Sequence, residues 1–374
     1  MGCSSRNVYI DCLRGMSILL VMLLHYNLAY RLILSPLQNW IPMPILQPLV
    51  YDGNYGVSIF FVISGFLITT NILKRYGSLA QIKPVHFYKL RFFRLYPLMV
   101  IALLMITALG LAGFTRFENI KHHTDILGTG FIWVANLSVL TFWHNILMEK
   151  IGYFNYAMNI YWSLSVEEVF YLAYPLVLLI CRKRWQILGL AVLCIVVAPL
   201  YRNLYKDNEL FYLYGNIACL DVLAFGCIAA ILAQHLSWPI KWRILLAGLS
   251  FIVMVWVYLR GIYGHEVFGS SFLGMATAVF LMSVSRLPRP KWHRLAAPLA
   301  WLGAHSYELY LFHIILLGLL LTIIPRGQME VAAKLPVFLL FLCASALFAW
   351  VMARFCGDKL NAGLRRRFAA RIGA

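Results

Sequence analysis

Acidic residues are scarce in this sequence: 14 aspartates and glutamates stand against 32 lysines and arginines in 374 residues. Charged residues of both signs make up only 12% of the chain, whereas about a quarter is usual in a soluble domain. A net charge of +18 in a soluble protein would suggest a nucleic-acid partner. Here the basic residues lie in short clusters between apolar runs, which is typical of a membrane protein with basic cytoplasmic loops. The composition therefore argues against nucleic-acid binding.

Cysteine patterns typical of metal sites or disulfide frameworks are also absent. The eight cysteines are scattered, mostly in apolar runs, and none forms a CxxC pair or a Cys/His cluster. We expect them to be small buried hydrophobic residues, and we expect no bound metal. The start, MGCSSR, has arginine at position six, where a myristoylation signal needs Ser or Thr. No small-residue cleavage site of a signal peptide follows the first apolar run. We therefore expect the first helix to remain in the mature protein.

Long hydrophobic runs dominate the chain, and 62% of its residues are hydrophobic. We predict an all-α, polytopic integral membrane protein with about ten transmembrane helices, forming one domain over 1–374 with no appended soluble domain. The predicted spans are 10–31, 54–73, 95–114, 161–181, 185–201, 215–234, 244–260, 267–285, 299–324 and 333–353. With both termini in the cytoplasm, this arrangement places every dense basic cluster inside.

One further apolar run, 129–147, does not fit the alternation of basic and sparsely charged loops. If it crossed the membrane, Arg182, Lys183 and Arg184 would lie outside and every later span would be inverted. We therefore predict a re-entrant or interfacial segment on the outer side, with its backbone buried in protein or lining a cavity. An eleven-span arrangement is the alternative.

The first span carries two ionisable side chains, Arg14 and His25. At about 100° per residue, eleven residues return to within about 20° of the starting direction, so both side chains share one helix face. Ionisable residues within a span by default face a polar cavity and mark a site. Alternatively, Arg14 extends to the interface from the helix end and His25 is a hydrogen-bonded packing residue. Their shared face favours the site.

The predicted topology places a second group of ionisable residues in the outer half of the membrane. Glu167 lies about two turns into an inward-running helix, Asp221 lies at a similar depth, and His313 lies beyond the midpoint of the ninth span. Together with His25, these residues are candidates for one outer cavity. Adjacent Glu167 and Glu168 cannot point the same way on a helix, so at most one enters it. A structural ion pair with an arginine is the alternative role for the carboxylate.

The inner half of the membrane is instead marked by basic residues. Arg91 and Arg94 are three positions apart and share a helix face, with Lys89 close by. Paired guanidinium groups suit a phosphate-bearing ligand, whereas an ordinary cytoplasmic anchor would contact lipid headgroups. The arrival of Arg14 at the same level on another helix favours the ligand.

Six motifs, in order along the chain, resemble those of the acyltransferase 3 family of integral membrane acyltransferases. They are the Arg14-x10-His25 helix with its DCLRG opening, FFVISGFLIT at 60–69, RFFRLYP at 91–97, YWSLSVEEVFYL at 161–172, the Asp221-x-Leu223-x-x-Gly226 turn and SYELYLFH at 306–313. Each motif alone is weak, but the set covers most of the chain and is specific in combination.

The resemblance implies an O-acyltransferase of the cell (inner) membrane. Such enzymes move an acyl group, most often acetyl from acetyl-CoA, to a hydroxyl of a carbohydrate-containing acceptor such as lipopolysaccharide O-antigen or exopolysaccharide. His25 would be the catalytic histidine, Arg14 its motif partner and Glu167 the catalytic carboxylate, while Arg91, Arg94 and Lys89 would hold acyl-CoA. Acceptor-binding or supporting roles would fall to Glu168, Asp221, His313, Trp162 and Ser64.

The sequence departs from the family pattern in three ways, of which the first two leave the acceptor open. Ile160 and Tyr161 stand where His or Thr often precedes WSL, and Cys219 stands where an arginine often precedes the aspartate by two positions. No hydrolase domain of the SGNH type follows, so we expect any second transfer step to need another protein. The resemblance also leaves open the oligomeric state and whether His25 acts as a general base or as an acyl carrier.

A secondary transporter or flippase is the rival class, because it would also carry intramembrane ionisable residues and interrupted segments. The sequence shows no inverted repeat and no matched pair of Gly/Pro-broken helices, which favours the enzyme. A non-catalytic membrane scaffold would leave Arg14 and His25 without a purpose.

Overall fold

The computed structural model describes residues 6–121, 125–128 and 130–357, and almost all of this structure is helical. The α-helices are α1 Val8–Tyr30, α2 Met43–Tyr51, α3 Asn54–Tyr76, α4 Pro84–Leu111, α5 Phe131–Leu140, α6 His144–Ile151, α7 Tyr161–Ile180, α8 Arg184–Leu204, α9 Glu209–Tyr212, α10 Leu220–His235, α11 Ile240–Arg260, α12 Gly269–Val284, α13 Ala297–Ala304, α14 Ser306–Ile323 and α15 Lys334–Met352. Short 3₁₀ turns occupy Leu32–Leu34, Pro36–Asn39, Leu79–Gln81, Thr115–Phe117, Ile217–Cys219, Lys291–Arg294 and Arg326–Gln328, and one π-helical turn occupies Ala353–Gly357. Two short strands, β1 Ile120–Lys121 and β2 Asp125–Ile126, pair antiparallel with Ile120 opposite Ile126.

The prediction of an all-α, polytopic membrane protein is confirmed. In the described part of the chain, nine helices are long and apolar enough to cross a bilayer. All ten predicted spans coincide with helices, and the span at 267–285 is the one that falls below this length, because α12 has only 16 residues.

Two predicted span boundaries are wrong in an informative way. The span predicted at 299–324 is two helices, because α13 ends at Ala304 and α14 begins at Ser306. The span predicted from residue 95 belongs to a 28-residue helix that begins at Pro84, where a proline is favoured because its missing N–H is not needed. Lys89, Arg91 and Arg94 therefore lie inside α4, in agreement with the shared helix face predicted for the two arginines.

The run at 129–147 forms two short helices, α5 and α6, separated by a turn at Phe142 with φ of 63°. The ten residues of α5 span only about 15 Å, so this helix is too short to cross a bilayer. Its polar side chains are bonded within the protein: Thr107 Oγ1 donates to Asn136 Oδ1 at 2.9 Å. The structure thus disfavours an eleventh helical span, while the re-entrant or interfacial placement stays a prediction.

A buried serine–histidine pair joins α5 to α6. The Ser138 hydroxyl donates to the carbonyl oxygen of Ala135, so its oxygen accepts from Nδ1–H of His144 at 2.8 Å. Burial lowers the pKa of His144 to about 3, and the ring is neutral at neutral pH. The backbone N–H of His144 donates to Ser165 Oγ on α7. These bonds satisfy polar groups where the chain turns.

The chain divides into two compact units. The first comprises the residues up to Ile82 together with Val177–Ser306, and within it α10 packs closely along α3. A Cβ atom on Gly226 would overlap the carbonyl oxygen of Val62, so the glycine that ends the Asp221-x-Leu223-x-x-Gly226 motif allows this approach.

The second unit comprises Lys83–Leu176 and the residues from Tyr307 onward. Tyrosine hydroxyls link its helices through backbone carbonyls: Tyr88 on α4 donates to Leu172 on α7 at 2.7 Å, and Tyr307 on α14 donates to Leu95 on α4 at 2.7 Å. Three long helices in this unit are thereby joined to one another by hydrogen bonds from side chains to backbone.

Candidate functional site

Arg14 lies at the start of α1 and reaches the break between α13 and α14. The helix begins with a cap in which Asn7 accepts from the N–H groups of Tyr9 and Ile10. One turn later, Arg14 Nη2 donates to the hydroxyl of buried Ser306 at 2.7 Å. The half-buried guanidinium group is therefore engaged at the interruption of a neighbouring span, which disfavours the alternative of a charge that merely extends to the interface.

Close packing of α13 on α1 fixes this arrangement. A Cβ atom on Gly303 would overlap the backbone oxygen of Asp11, so only glycine allows the two helices to come this close. Two residues later α13 ends at His305, whose ring nitrogen Nδ1 lies 3.0 Å from the carbonyl oxygen of Trp301. The break that places Ser306 beside Arg14 is thus built by local packing and capping.

His25 lies about three turns beyond Arg14 on α1 and is half-buried, between fully or nearly fully buried neighbours Leu24 and Tyr26. It is therefore neither enclosed in the core nor on the most exposed side of its helix. A histidine that takes a proton from a substrate, or an acyl group itself, needs this partial access.

The strongest concentration of ionisable groups lies between α4 and α7, in the second unit. We call it the Arg91 cluster, and its members are Arg91, Glu167, Glu168 and Tyr171. The guanidinium carbon of Arg91 stands 3.8 Å from the centroid of the Tyr171 ring, and the Tyr171 hydroxyl donates to Oε1 of Glu167. Arg91 also interacts electrostatically with Glu168. A cation, an aromatic ring and two carboxylates thus meet within two membrane-spanning helices.

The Arg91 cluster is incompletely satisfied. Nε of Arg91 is buried and has no hydrogen-bond partner among the described residues. A buried N–H donor without a partner is rare in native proteins and calls for an explanation, such as a ligand that binds there. Arg94 and Lys89 on the same helix are exposed, so the two arginines of the motif have different surroundings.

Asp221 lies in a second arginine-centred group, in the first unit. We call it the Arg202 cluster, and its members are Arg202, Asp221 and Ser271. Arg202 donates from Nη1 and Nη2 to the two carboxylate oxygens at 3.0 and 2.6 Å, and Ser271 Oγ donates to Oδ2 at 2.6 Å. The remaining guanidinium donors bond to the carbonyl oxygens of Val267 and Ala218.

The charged side chains of the Arg202 cluster are closed to solvent, with Arg202 1% and Asp221 0% exposed, and Ser271 is only 9% exposed. An acceptor has no exposed atom of Asp221 to reach. A structural ion pair of the kind considered above for Glu167 is found here, and a guanidinium group from α8 accompanies Asp221 although position 219 is a cysteine. The sequence did not predict the pairing of Arg202 with Asp221, because Arg202 resembles any single basic residue at the end of an apolar run.

The remaining candidate residues occupy different surroundings. His313 is fully buried, with Nδ1 lying 2.9 and 2.8 Å from the carbonyl oxygens of Leu309 and Tyr310 on its own helix. Trp162 is buried and Ser64 is half-buried. His25 and Asp221 belong to the first unit, whereas Glu167 and His313 belong to the second, so the predicted shared outer cavity stays a prediction.

Metal chemistry gains no support from the described side chains, among which no group of three or more His, Cys, Asp or Glu residues could hold an ion. The charged groups that the structure does bring together, a guanidinium and two carboxylates, suit recognition of an anion and hydrogen bonding to a hydroxyl.

Comparison with known proteins gives a family match over almost the whole chain: a family model described as an acyltransferase domain matches residues 7–354. The O-acetyltransferase OatA of Staphylococcus aureus strain NCTC 8325 is 26% identical over 325 residues, covering 81% of this chain and 52% of OatA. A protein of strain COL, provisionally named an O-acetyltransferase, is 26% identical over 385 residues, covering 92% of this chain and 56% of that protein. The chain thus spans about half the length of the curated relatives it matches. No solved structure matches it significantly.

Proposed function

Because the chain belongs to the acyltransferase 3 family, we propose that it is a membrane-bound O-acyltransferase. It transfers an acyl group, most simply acetyl, from cytoplasmic acyl-CoA to a hydroxyl of a carbohydrate-containing acceptor such as O-antigen or exopolysaccharide. The names of the O-acetyltransferase relatives support acetyl as the group and oxygen as the acceptor atom. The single observation that carries the site is the Arg91 cluster, because charged groups within membrane-spanning helices are functional by default.

Donor binding falls to the basic residues of α4. Acyl-CoA carries several phosphate groups, and exposed Lys89 and Arg94 offer cationic donors to them at the surface of the protein. Arg91 is less exposed, and its Nε–H is buried without a partner among the described residues, so an anion that entered between α4 and α7 would satisfy it. The residues present therefore fit a phosphate-bearing donor.

His25 performs the transfer in one of two ways. As a general base, it takes the proton of the acceptor hydroxyl, the oxygen attacks the thioester carbonyl, and the carbon–sulfur bond breaks to release CoA, which regains the proton. As a nucleophile, it takes the acyl group first and releases CoA before the acceptor reacts, which predicts ping-pong kinetics. Arg14 holds the start of the same helix against Ser306, and Glu167 is the proposed carboxylate of the reaction.

The enzyme is placed in the cell (inner) membrane as a multi-pass protein with both termini in the cytoplasm. This orientation rests on the basic loops, and it presents α4's basic segment to the compartment that contains acyl-CoA. The lipid bilayer and a carbohydrate or glycolipid acceptor are the partners that this function requires.

The test is CoA release by the purified protein in detergent or lipid nanodiscs, with acetyl-CoA and candidate glycans. His25→Ala is expected to abolish acceptor-dependent CoA release, because neither route proceeds without the imidazole. His265→Ala is the matched control, since His265 is an exposed histidine outside the candidate spans and should leave activity unchanged.

Full activity of His25→Ala in correctly inserted protein would overturn the catalytic assignment. Movement of a glycan across proteoliposome membranes without any CoA release would instead favour the transporter. Acylated glycan, detected by mass spectrometry and absent without the protein, would identify the acceptor.

A further inference from the structure

We propose that Tyr171 is a positioning residue that holds Arg91 and Glu167 in one fixed arrangement. Donor binding by Arg91 and the orientation of the Glu167 carboxylate then both depend on this one side chain. The inference rests on the proposed function for the roles of Arg91 and Glu167. Tyr171 itself is only 3% exposed and has no surface with which to contact a substrate. Its influence on the reaction must therefore pass through its two neighbours.

The hydroxyl of Tyr171 acts on Glu167. The two residues are four positions apart on α7, which places their side chains on one face of the helix, one turn apart. The hydroxyl donates to Oε1 of Glu167 and so fixes one of the two carboxylate oxygens. A carboxylate away from bulk water needs such donors, and a donor fixed by burial also fixes the carboxylate's orientation.

The ring of Tyr171 acts on Arg91. With its carbon 3.8 Å from the ring centroid, the guanidinium group lies over the aromatic face, where the ring quadrupole attracts a cation. This cation–π attraction acts through the ring face and not through a hydrogen bond to the Tyr171 hydroxyl, whose proton is given to Glu167. The buried Nε–H of Arg91 has no partner among the described residues. The ring thus holds Arg91 without consuming the groups that would bind a phosphate.

Hydroxyl and ring can be removed separately, which makes the proposal testable. Tyr171→Phe keeps the ring and removes the hydroxyl, so it is expected to lower kcat roughly ten- to a hundredfold, as for the loss of a hydrogen bond to a charged group. The KM for acyl-CoA should stay within about twofold, because stacking on Arg91 persists. Tyr171→Leu removes both contacts and is expected to lower kcat similarly and also to raise that KM by about fivefold or more.

Tyr88→Phe is the matched control. Tyr88 also joins α4 to α7, through its bond to the Leu172 carbonyl, but it contacts neither Arg91 nor Glu167 through that hydroxyl. A merely structural role of Tyr171 would give Tyr171→Phe and Tyr88→Phe the same kinetic profile and a similar loss of thermal stability. That result would overturn the proposal, as would a rise in donor KM with Tyr171→Phe equal to the rise with Tyr171→Leu.

A double-mutant cycle keeps the test decisive if Tyr171→Leu fails to fold. In a Glu167→Gln background, Tyr171→Phe should lower kcat by less than about twofold, because its effect runs through the carboxylate that is already changed. An undiminished effect in that background contradicts the proposal. If Glu167→Gln and Arg91→Ala themselves leave kcat and donor KM unchanged, the proposed function of the cluster fails instead, so the two failures are distinguishable.

Discussion

The Arg202 cluster of the first unit and the Arg91 cluster of the second both place an arginine beside a carboxylate within membrane-spanning helices, yet only the first is complete. Arg202 has a hydrogen-bond partner at each of its three nitrogens, and both oxygens of Asp221 accept from it. Arg91 instead stacks on a ring and keeps a buried N–H without a partner among the described residues.

The difference separates a packing device from a candidate site. A closed, fully bonded ion pair between helices leaves nothing for a ligand to bind, and it joins α8, α10 and α12 because its members come from all three. An incomplete cluster with a free donor retains binding capacity at the expense of stability. Ionisable residues inside a membrane are therefore functional candidates by default, but the extent of their bonding decides between the two roles.

Breaking the complete pair should have the largest effect on stability. Arg202→Ala leaves the carboxylate of Asp221 buried without its cation, and it is expected to destabilise the fold by about 3–5 kcal/mol. The loss of stability is measured by thermal unfolding of the detergent-purified protein. If the variant is too unstable to purify, the amount of folded protein in the membrane is measured instead.

The double variant Arg202→Leu with Asp221→Leu removes both charges, and it should recover much of that stability because no charge stays unpaired. If Arg202→Ala unfolds at the wild-type temperature, the pair does not hold these helices together and the contrast between the clusters is lost.

The Ser138–His144 pair extends the comparison to a buried polar group in the second unit, in which Nδ1 of His144 is bonded and buried Nε2 has no partner among the described residues. Burial depresses the pKa of His144 to about 3, so the unfolded chain binds a proton at higher pH than the folded protein does. The contribution of neutral, buried His144 to the free energy of unfolding is therefore complete above the pKa of the unfolded chain, about 6.5. It is lost as pH falls below that value, at about 1.4 kcal/mol per pH unit.

Between pH 6.5 and pH 5 we expect a loss of about 2 kcal/mol, measured as the fall in unfolding temperature or free energy. His144→Gln has a side chain that does not titrate, so its free energy of unfolding should fall less between pH 6.5 and pH 5. This comparison holds even if the variant is less stable than the wild type at every pH. Identical pH profiles for the two proteins would show that His144 is not the group responsible.

The smallest effects should distinguish the two arginines of α4. Arg91→Ala is expected to raise the KM for acyl-CoA roughly tenfold, because Arg91 is partly shielded from water, whereas exposed Arg94 should contribute only about two- to fivefold. Steady-state kinetics with varied acyl-CoA at two salt concentrations measure both, and the Arg94 contribution should shrink at high salt.

Arg116→Ala is the control, because Arg116 is an exposed arginine in the same unit and outside α4. An unchanged donor KM in both α4 variants, with lower turnover alone, would contradict the phosphate-binding role. A larger effect at Arg94 than at Arg91 would show that exposure, and not the incomplete cluster, marks the donor site.

Sequence reasoning found several members of these clusters but not their partners. The sequence predicts Glu167 as the catalytic carboxylate, and Tyr171 stands four residues later in the same motif, YWSLSVEEVFYL. Helical spacing alone therefore indicates that the two side chains are neighbours. Arg91 was identified as a phosphate ligand, yet its stacking on Tyr171 joins residues 80 positions apart, which no local pattern indicates. Arg202 carried no signal at all, because a single arginine at the end of an apolar helix resembles an ordinary interface anchor.

The sequence by itself determined that the chain consists of membrane-spanning helices, because apolar length is a local property. It also determined the family, because six motifs recur in one order. Only the tertiary structure decided which charges are satisfied: Asp221 bonds Arg202 and Ser271, from α8 and α12, while Arg91 meets Tyr171 on α7. The physical reason is that hydrogen bonding of a buried charge depends on which helices pack together, and that packing joins residues far apart in the chain.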